Sequence, residues 1–339
     1  MLTPTMILED ISFSGGVPRT DAIERTMTLA GTPAGADTAW EPMLLVRAQA
    51  SAATDPHRPV LYVHGMSFPS ASSIMFPFDG GSWADQLNQS GFLACAFDFA
   101  GFGGSERYPE MIGTAPPAGE PLGAADDAAR QIHRVVRAIL AHTGVARLSI
   151  IAHSWGTIAA GLFATRYPEL VDRLVFFGPI TQRRQLAGVP ELGAWRLLTV
   201  AEQHARFVED VPPGCPPLLL ERDFPAWATR YLSSDPTSGT RSPPSVKTPN
   251  GPLADVMRAW SGSLAYDPGK IRAPVAIIRG AWDSLCTSDD AAWLMAALTS
   301  APDKRDITIA RATHLMHLEE SRHDLYRATS DFLSEREQP

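Results

Sequence analysis

Residues 148–160 read Leu-Ser-Ile-Ile-Ala-His-Ser-Trp-Gly-Thr-Ile-Ala-Ala. An apolar strand pattern (148–152) runs without a spacer into Ala152-His153-Ser154-Trp155-Gly156, and from there into an alanine-rich helical stretch (155–166). A chain that passes from strand to helix this abruptly brings two backbones together, and only small side chains beside the turn permit it. Ala152 and Gly156 are small enough. Such an elbow holds a serine hydroxyl out at the carboxyl end of a sheet, close to a helix N-terminus that stabilises developing negative charge. Ser154 is therefore the candidate nucleophile, and the competing role for it is a helix N-cap.

The surrounding pattern supplies the sheet. Short, nearly continuous apolar runs occur at residues 43–48, 60–63, 93–97, 148–152, 174–177, 275–278 and 307–310, with an earlier one near 25–29. Runs of this kind suit strands buried on both faces. Helical patterns fall between them at 82–89, 124–142, 155–166, 289–298 and 319–335. The strongest is 124–142, with Ile132, Val135, Val136, Ile139 and Leu140 on one face. Strand–helix alternation predicts an α/β fold around a mainly parallel sheet. The rhythm breaks once, between Gly178 and Ala273, in a stretch with two proline-rich patches at 211–217 and 242–252. Some ninety residues are too many for a simple loop. The expected organisation is a core of residues 1–178 and 274–339 with an inserted, largely helical cap at 179–273.

Composition narrows the function. With 45% hydrophobic and 19% charged residues the chain is of ordinary globular type, not a disordered one. Its net charge is −8 and no run of Lys and Arg marks a nucleic-acid face. No apolar stretch is long enough for a membrane span. Residues 1–16 lack a basic start and carry Glu9 and Asp10, so they do not read as a secretory signal. The three scattered cysteines, Cys95, Cys215 and Cys286, form no CxxC metal pair and read as reduced thiols of a cytoplasmic protein.

A serine hydroxyl needs a base, and the base needs an orienting acid. Asp283 follows the 275–278 strand through Arg279-Gly-Ala-Trp, and His314 follows the 307–310 strand through Arg311-Ala-Thr. Both positions lie at carboxyl ends of strands, in the chain order Ser, acid, His. The rivals are His317, expected to pack behind the site, and Asp289 and Asp290, expected to cap a helix. The loop after 174–177 begins Gly178-Pro179 and offers no carboxylate. An oxyanion needs two donors. The backbone amides of Trp155 and Met66, the latter in His64-Gly65-Met66 after the 60–63 strand, are the candidates. His64 reads as a structural residue between neighbouring loops.

These segments together resemble the α/β-hydrolase superfamily: His64-Gly65, Asp98-Phe-Ala-Gly101-Phe-Gly103-Gly-Ser105, the Ser154 elbow, Gly280-Ala-Trp-Asp283, and His314 followed by His317-Leu-Glu319, in that order. The usual elbow has Gly two residues before the nucleophile, where this chain has Ala152. The resemblance implies an eight-stranded, mostly parallel sheet with a cap after the sixth strand, and an Asp98 that shapes a turn behind the site. Members that open epoxides or cleave carbon–halogen bonds carry Asp at the elbow, so Ser154 points instead to esterases, lipases, lactonases, thioesterases, amidases or carbon–carbon hydrolases. His-Gly-x-x-Phe-Pro69 with Ser-Trp-Gly156 is similar to bacterial carboxylesterases, some of which act on monoalkyl phthalates.

The expected chemistry is hydrolysis of a small apolar or aromatic carboxylic ester through an acyl-enzyme, with no metal or organic cofactor. Carbon–carbon or lactone cleavage by the same triad is the second reading, and a non-catalytic ligand-binding protein of the same fold the third. Phe68, Trp195, Trp227 and Trp260 are candidate walls of an apolar substrate pocket. Arg183 and Arg184, at the start of the cap, are candidates to meet a substrate carboxylate.

Overall fold

The computed structural model describes residues 7–9, 22–33, 40–219 and 221–335. Most of the 1–16 stretch considered above as a leader lies outside the described residues. The strands are β1 (Ile7–Glu9), β2 (Ile23–Leu29), β3 (Leu44–Ala50), β4 (Asp55–Val63), β5 (Phe92–Phe97), β6 (Leu148–His153), β7 (Val171–Phe177), β8 (Trp195–Thr199), β9 (Ser245–Pro249), β10 (Val275–Gly280) and β11 (Lys304–Ile309). The helices are α1 (Trp83–Gln89), α2 (Ala125–Thr143), α3 (Gly156–Arg166), α4 (Val200–Val208), α5 (Phe224–Ser233), α6 (Gly251–Trp260), α7 (Ser288–Ala297) and α8 (Arg322–Ser334).

One sheet runs in the order β1-β2-β3-β5-β4-β6-β7-β10-β11. From β5 to β11 every neighbour is parallel, while β3 is antiparallel to both β2 and β5. The eight expected strands are all present, and the short β1 adds a ninth at the edge, antiparallel to β2. The continuous apolar runs have a simple cause. Successive side chains of a strand point to opposite faces. In β4, Leu61 and Val63 join one core with α2 and α3, while Val60 and Tyr62 join the other with α1 and α8. β7 and β10 divide in the same way. Helices thus cover both faces, which is why the central strands carry no polar alternation.

Local signals place the helix ends. Ser82 and Asp85 form a capping box on α1, and Gly144, at φ 73°, closes α2 with its N–H on Leu140 O. The last helix starts later than its sequence pattern predicts. Residues 316–318 form a single 3₁₀ turn and α8 begins at Arg322, because the Glu319 carboxylate turns back to the Thr313 backbone and hydroxyl.

Residues 179–273 carry α4, α5 and α6, as a helical segment should, but also the antiparallel pair β8–β9. The sequence pattern missed this pair because β9 holds polar residues that only tertiary partners satisfy. Lys247 is buried with its Nζ on Met111 O, 2.7 Å away, and over the Trp195 ring. The segment packs on the loops at the carboxyl ends of the strands: Phe207, Leu219, Trp227 and Tyr231 form one apolar cluster with Phe68, Phe76, Leu315 and Leu318. The three cysteines are free thiols, Cys95 and Cys286 buried and Cys215 exposed. No described helix is long and apolar enough to cross a membrane.

The start of α3 makes a tight backbone contact with the end of β4. A Cβ on Gly156 would lie 2.5 Å from His64 O and 2.8 Å from Val63 O. Both obstacles are backbone, so neither can swing aside. Gly156→Ala is expected to destabilise the protein by about 2–3 kcal/mol, to be measured by denaturant unfolding; an unchanged midpoint would mean that the helix is not held this close.

Candidate active site

Ser154 directly follows β6 with φ 56°, in the left-handed region that non-glycine residues rarely occupy. The bend is held on both sides. Ser154 N–H donates to Phe177 O (3.0 Å), and its carbonyl accepts from Thr157 N (2.9 Å) and Thr157 Oγ1 (2.6 Å). The elbow forms with Ala152, fully buried in β6, where the family pattern has Gly.

The loops after β10 and β11 bring the two partners to this serine. His314 Nε2 is 2.8 Å from Ser154 Oγ, and His314 Nδ1 is 3.0 Å from Asp283 Oδ2 and 3.1 Å from Oδ1. With Nδ1–H donating to the carboxylate, Nε2 presents a lone pair that accepts the serine hydroxyl. Asp283 is buried, which pushes its carboxyl up. The charge and hydrogen bond of His314 and the amides of Cys286 and Leu285 outweigh this and hold it below the ordinary carboxylate value. The acid is thus kept ionised against the imidazole.

The rivals are placed elsewhere. His317 is buried behind His153 and Phe68, and neither ring nitrogen has a partner among the described residues. Burial pushes its pKa down to about 3. Asp290 closes a capping box with Thr287 on α7 and receives Arg183, while Asp289 is exposed in the first turn. His64 accepts Phe99 N–H at Nε2 (3.1 Å) and donates from Nδ1 to Gly65 O (2.7 Å), joining two loops as a buried neutral ring. Asp98 accepts Ser70 N and Oγ on one oxygen and Gly104 N on the other, fixing the turn behind the site.

The amides of Met66 and Trp155 donate to no acceptor among the described residues, although Trp155 is almost fully buried. Buried N–H groups are seldom left unpaired. Two unpaired N–H groups beside one serine are what an oxyanion requires. Above the serine lies a small cavity of about 10 Å³, lined in part by Met66, Phe68, His153, Leu315 and Arg206. Phe68 is therefore at the site. Trp195, Trp227 and Trp260 do not line this cavity. Trp195 packs with Ala100 and Met111 and donates to Glu110 O, and Trp260 lies under the Arg183 guanidinium. Trp227 donates to Ser72 O and meets Phe68 edge-on, with 5.4 Å between ring centres. The interior takes these rings because packing them removes more apolar surface from water than a pocket wall would. Arg183 is held by Asp290 and the carbonyls of Ser284 and Leu285, and Arg184 pairs with Ser261 across a backbone bridge; neither lines the cavity.

Three residues at the site were not singled out as functional from the sequence. His153 stacks on Phe177 and donates from Nε2 to His314 O (3.1 Å), so it positions the His314 backbone. Gly178, at φ 53°, clears space for the pair: a Cβ there would lie 2.9 Å from His314 Nδ1 and 3.2 Å from Asp283 Oδ2. Its signal was a glycine at the end of a central strand. Arg206 had no sequence signal, since only the fold of residues 179–273 carries it to Ser154.

The sequence matches the α/β-hydrolase-fold family over residues 58–321, and the chain belongs to that family. It is a hydrolase of that fold. Solved structures agree at the level of fold. The chain is similar to a monoacylglycerol lipase of Paleococcus ferrophilus (20% identity, TM-score 0.53, covering 86% of this chain and 98% of the other). It is also similar to E-2-(acetamidomethylene)succinate hydrolase (20%, 0.56, 87% and 96%). A third similar structure is from a study of carboxylesterases of Nitrososphaera gargenis (13%, 0.56, 90% and 99%). No curated protein matches the chain.

Two outcomes test the geometry. Gly178→Ala should displace the imidazole and lower kcat by about 100-fold with the far-ultraviolet circular dichroism unchanged; full activity would show that the pair tolerates the methyl. The second concerns Glu319, whose carboxyl burial pushes up to about 7 against the pull of its Thr313 hydrogen bonds. The unfolded chain releases this proton near 4.5, so ionisation penalises the folded state as pH rises from 4.5 to about 7. Over that window the Tm of the wild type should fall relative to Glu319→Gln. Parallel Tm curves would mean that Glu319 is charged in the folded protein throughout.

Proposed function

We propose that this protein is a serine hydrolase that cleaves carboxylic esters through an acyl-enzyme. The observation that carries the reading is the relay Ser154 Oγ–His314 Nε2 at 2.8 Å and His314 Nδ1–Asp283 at 3.0 Å, beside two unpaired amides. In the first half-reaction His314 takes the Ser154 proton as Oγ bonds to the ester carbonyl carbon. The carbonyl oxygen becomes an oxyanion held by Met66 and Trp155 N–H. Asp283 stabilises the imidazolium. Collapse expels the alcohol, protonated by His314. Water then adds to the acyl carbon, giving its proton to His314, and the acid leaves as Ser154 recovers its hydrogen. Every step draws on groups of the chain itself.

Residues 179–273 act as the cap of this site. A cavity of about 10 Å³ holds about one water-sized sphere, so an ester reaches Ser154 only when side chains over the cavity swing aside. The apolar walls, Met66, Phe68 and Leu315, suit an apolar acyl or aromatic group. The three free thiols are in keeping with a cytoplasmic location.

Hydrolysis of p-nitrophenyl esters of increasing acyl length tests this reading. Ser154→Ala should lower kcat by several orders of magnitude, on the order of 10⁴–10⁶. Undiminished turnover in the variant would remove Ser154 from the chemistry. A folded wild type that is inert to every ester but opens lactones or cleaves diketones would move the same triad to the second reaction class.

A further inference from the structure

Among the residues that line the cavity over Ser154, Arg206 alone carries a full charge. Its position is firmly set. α4 begins with a capping box between Thr199 and Glu202, and the neighbouring Phe207 is buried against Trp227 at 5.1 Å between ring centres. Yet the guanidinium makes no hydrogen bond among the described residues. Its ion pair with Glu209, one turn end further on, is 3.7 Å long and partly exposed, and such pairs contribute little.

A second arginine lies within electrostatic reach of it. Arg196 on β8 has a buried Nε without a partner, and its side chain makes no ion pair or hydrogen bond among the described residues. Burial, and then the like charge of Arg206, push its pKa down. The nearby Glu202 carboxylate is engaged with Thr199 N and Oγ1, both at 2.7 Å. Three other covered arginines have a carboxylate at close range: Arg183 with Asp290 at 2.5 Å, Arg241 with Asp235 at 2.8 Å and Arg279 with Asp306 at 3.0 Å. Two guanidiniums that feel one another's charge, one with only a long, partly exposed partner and the other with none among the described residues, are unfavourable by themselves, and an anion against them relieves this. A carboxylate fits the planar fork best, through paired charge-assisted hydrogen bonds.

We propose that Arg206, backed by Arg196, binds a free carboxylate on the substrate, so that the preferred substrates are esters carrying a second, ionised carboxyl group. The proposal rests on the ester-hydrolase reading of the same site and names its substrate class. The apolar walls would then hold the link between the two ends, with the ester carbonyl at Ser154 and the carboxylate at the cap.

The test compares two esters of equal length at neutral pH, monomethyl adipate and methyl hexanoate, by pH-stat titration. In the wild type kcat/KM should be higher for monomethyl adipate. Arg206→Gln should reduce the adipate-to-hexanoate ratio by about 10–100-fold, the range expected for a lost charge-assisted hydrogen bond, and Arg206→Lys should recover part of it. Equal losses on both esters, or a wild type that favours methyl hexanoate, would overturn the proposal. Calorimetric titration of adipate into Ser154→Ala separates the two readings. If neither ester is hydrolysed while adipate still binds and Arg206→Gln in that background abolishes binding, the ester reading fails and the anion site stands. Adipate that does not bind, or binds equally without Arg206, refutes the anion site whatever the esters show.

Discussion

The chain at Ser154 leaves β6 and enters α3 with no loop between them, at φ 56°. Such a bend in a non-glycine residue costs on the order of 1–3 kcal/mol, and the surrounding structure must impose it. Here it is imposed by the amide of Ser154 on Phe177 O, by Thr157 on the Ser154 carbonyl, and by the close approach of Gly156 to the backbone of β4. Several consequences follow from the one bend. The hydroxyl stands clear of the sheet, the Trp155 amide is left without an acceptor, and the helix is seated where the loop after β4 must pass beside it. The sites of the acid and the imidazole are then fixed by parallel strand order, since β10 and β11 end on the same edge of the sheet as β6.

Four buried histidines meet within this region, and their surroundings give them different work. His64 has both nitrogens engaged by backbone groups and stays a neutral tie between loops. His153 uses one nitrogen on the His314 carbonyl and lies flat on Phe177. His317 has no polar partner among the described residues, and burial holds it neutral down to a pKa of about 3. Only His314 has a carboxylate on one nitrogen and a hydroxyl on the other. Residue type alone does not separate these four rings. The partner on the second nitrogen does, because it decides which nitrogen keeps a lone pair and whether a positive charge is tolerated.

The segment between β7 and β10 contributes Arg206 to the cavity over Ser154, and its aromatic residues serve mainly to build its own interior. Trp195 and Trp227 are among the largest fully buried side chains, each with its indole N–H satisfied by a backbone carbonyl. Among its polar residues, one is turned to the serine. Arg206 stands at the serine, and Arg196 behind it lacks the carboxylate that Arg183, Arg241 and Arg279 have found.

By itself the sequence determined the α/β alternation, the Ser154 elbow, and the order in which Asp283 and His314 follow it. These were legible because each depends on local pattern: apolar runs buried on two faces, small residues at a tight turn, and polar residues one turn beyond a strand. It also separated His314 from His317 by position alone. Tertiary structure decided the rest. The β8–β9 pair joins residues some fifty positions apart, and Lys247 is buried there only because the carbonyls of Met111 and Gly113 receive it. Gly178 matters through the space it leaves for His314 and Asp283, which no local pattern records. Arg183 and Arg206 look alike in the sequence, as arginines of one inserted segment. One is neutralised by Asp290 and the other is delivered to the serine, because charge pairing is settled by which groups the packed helices bring within reach.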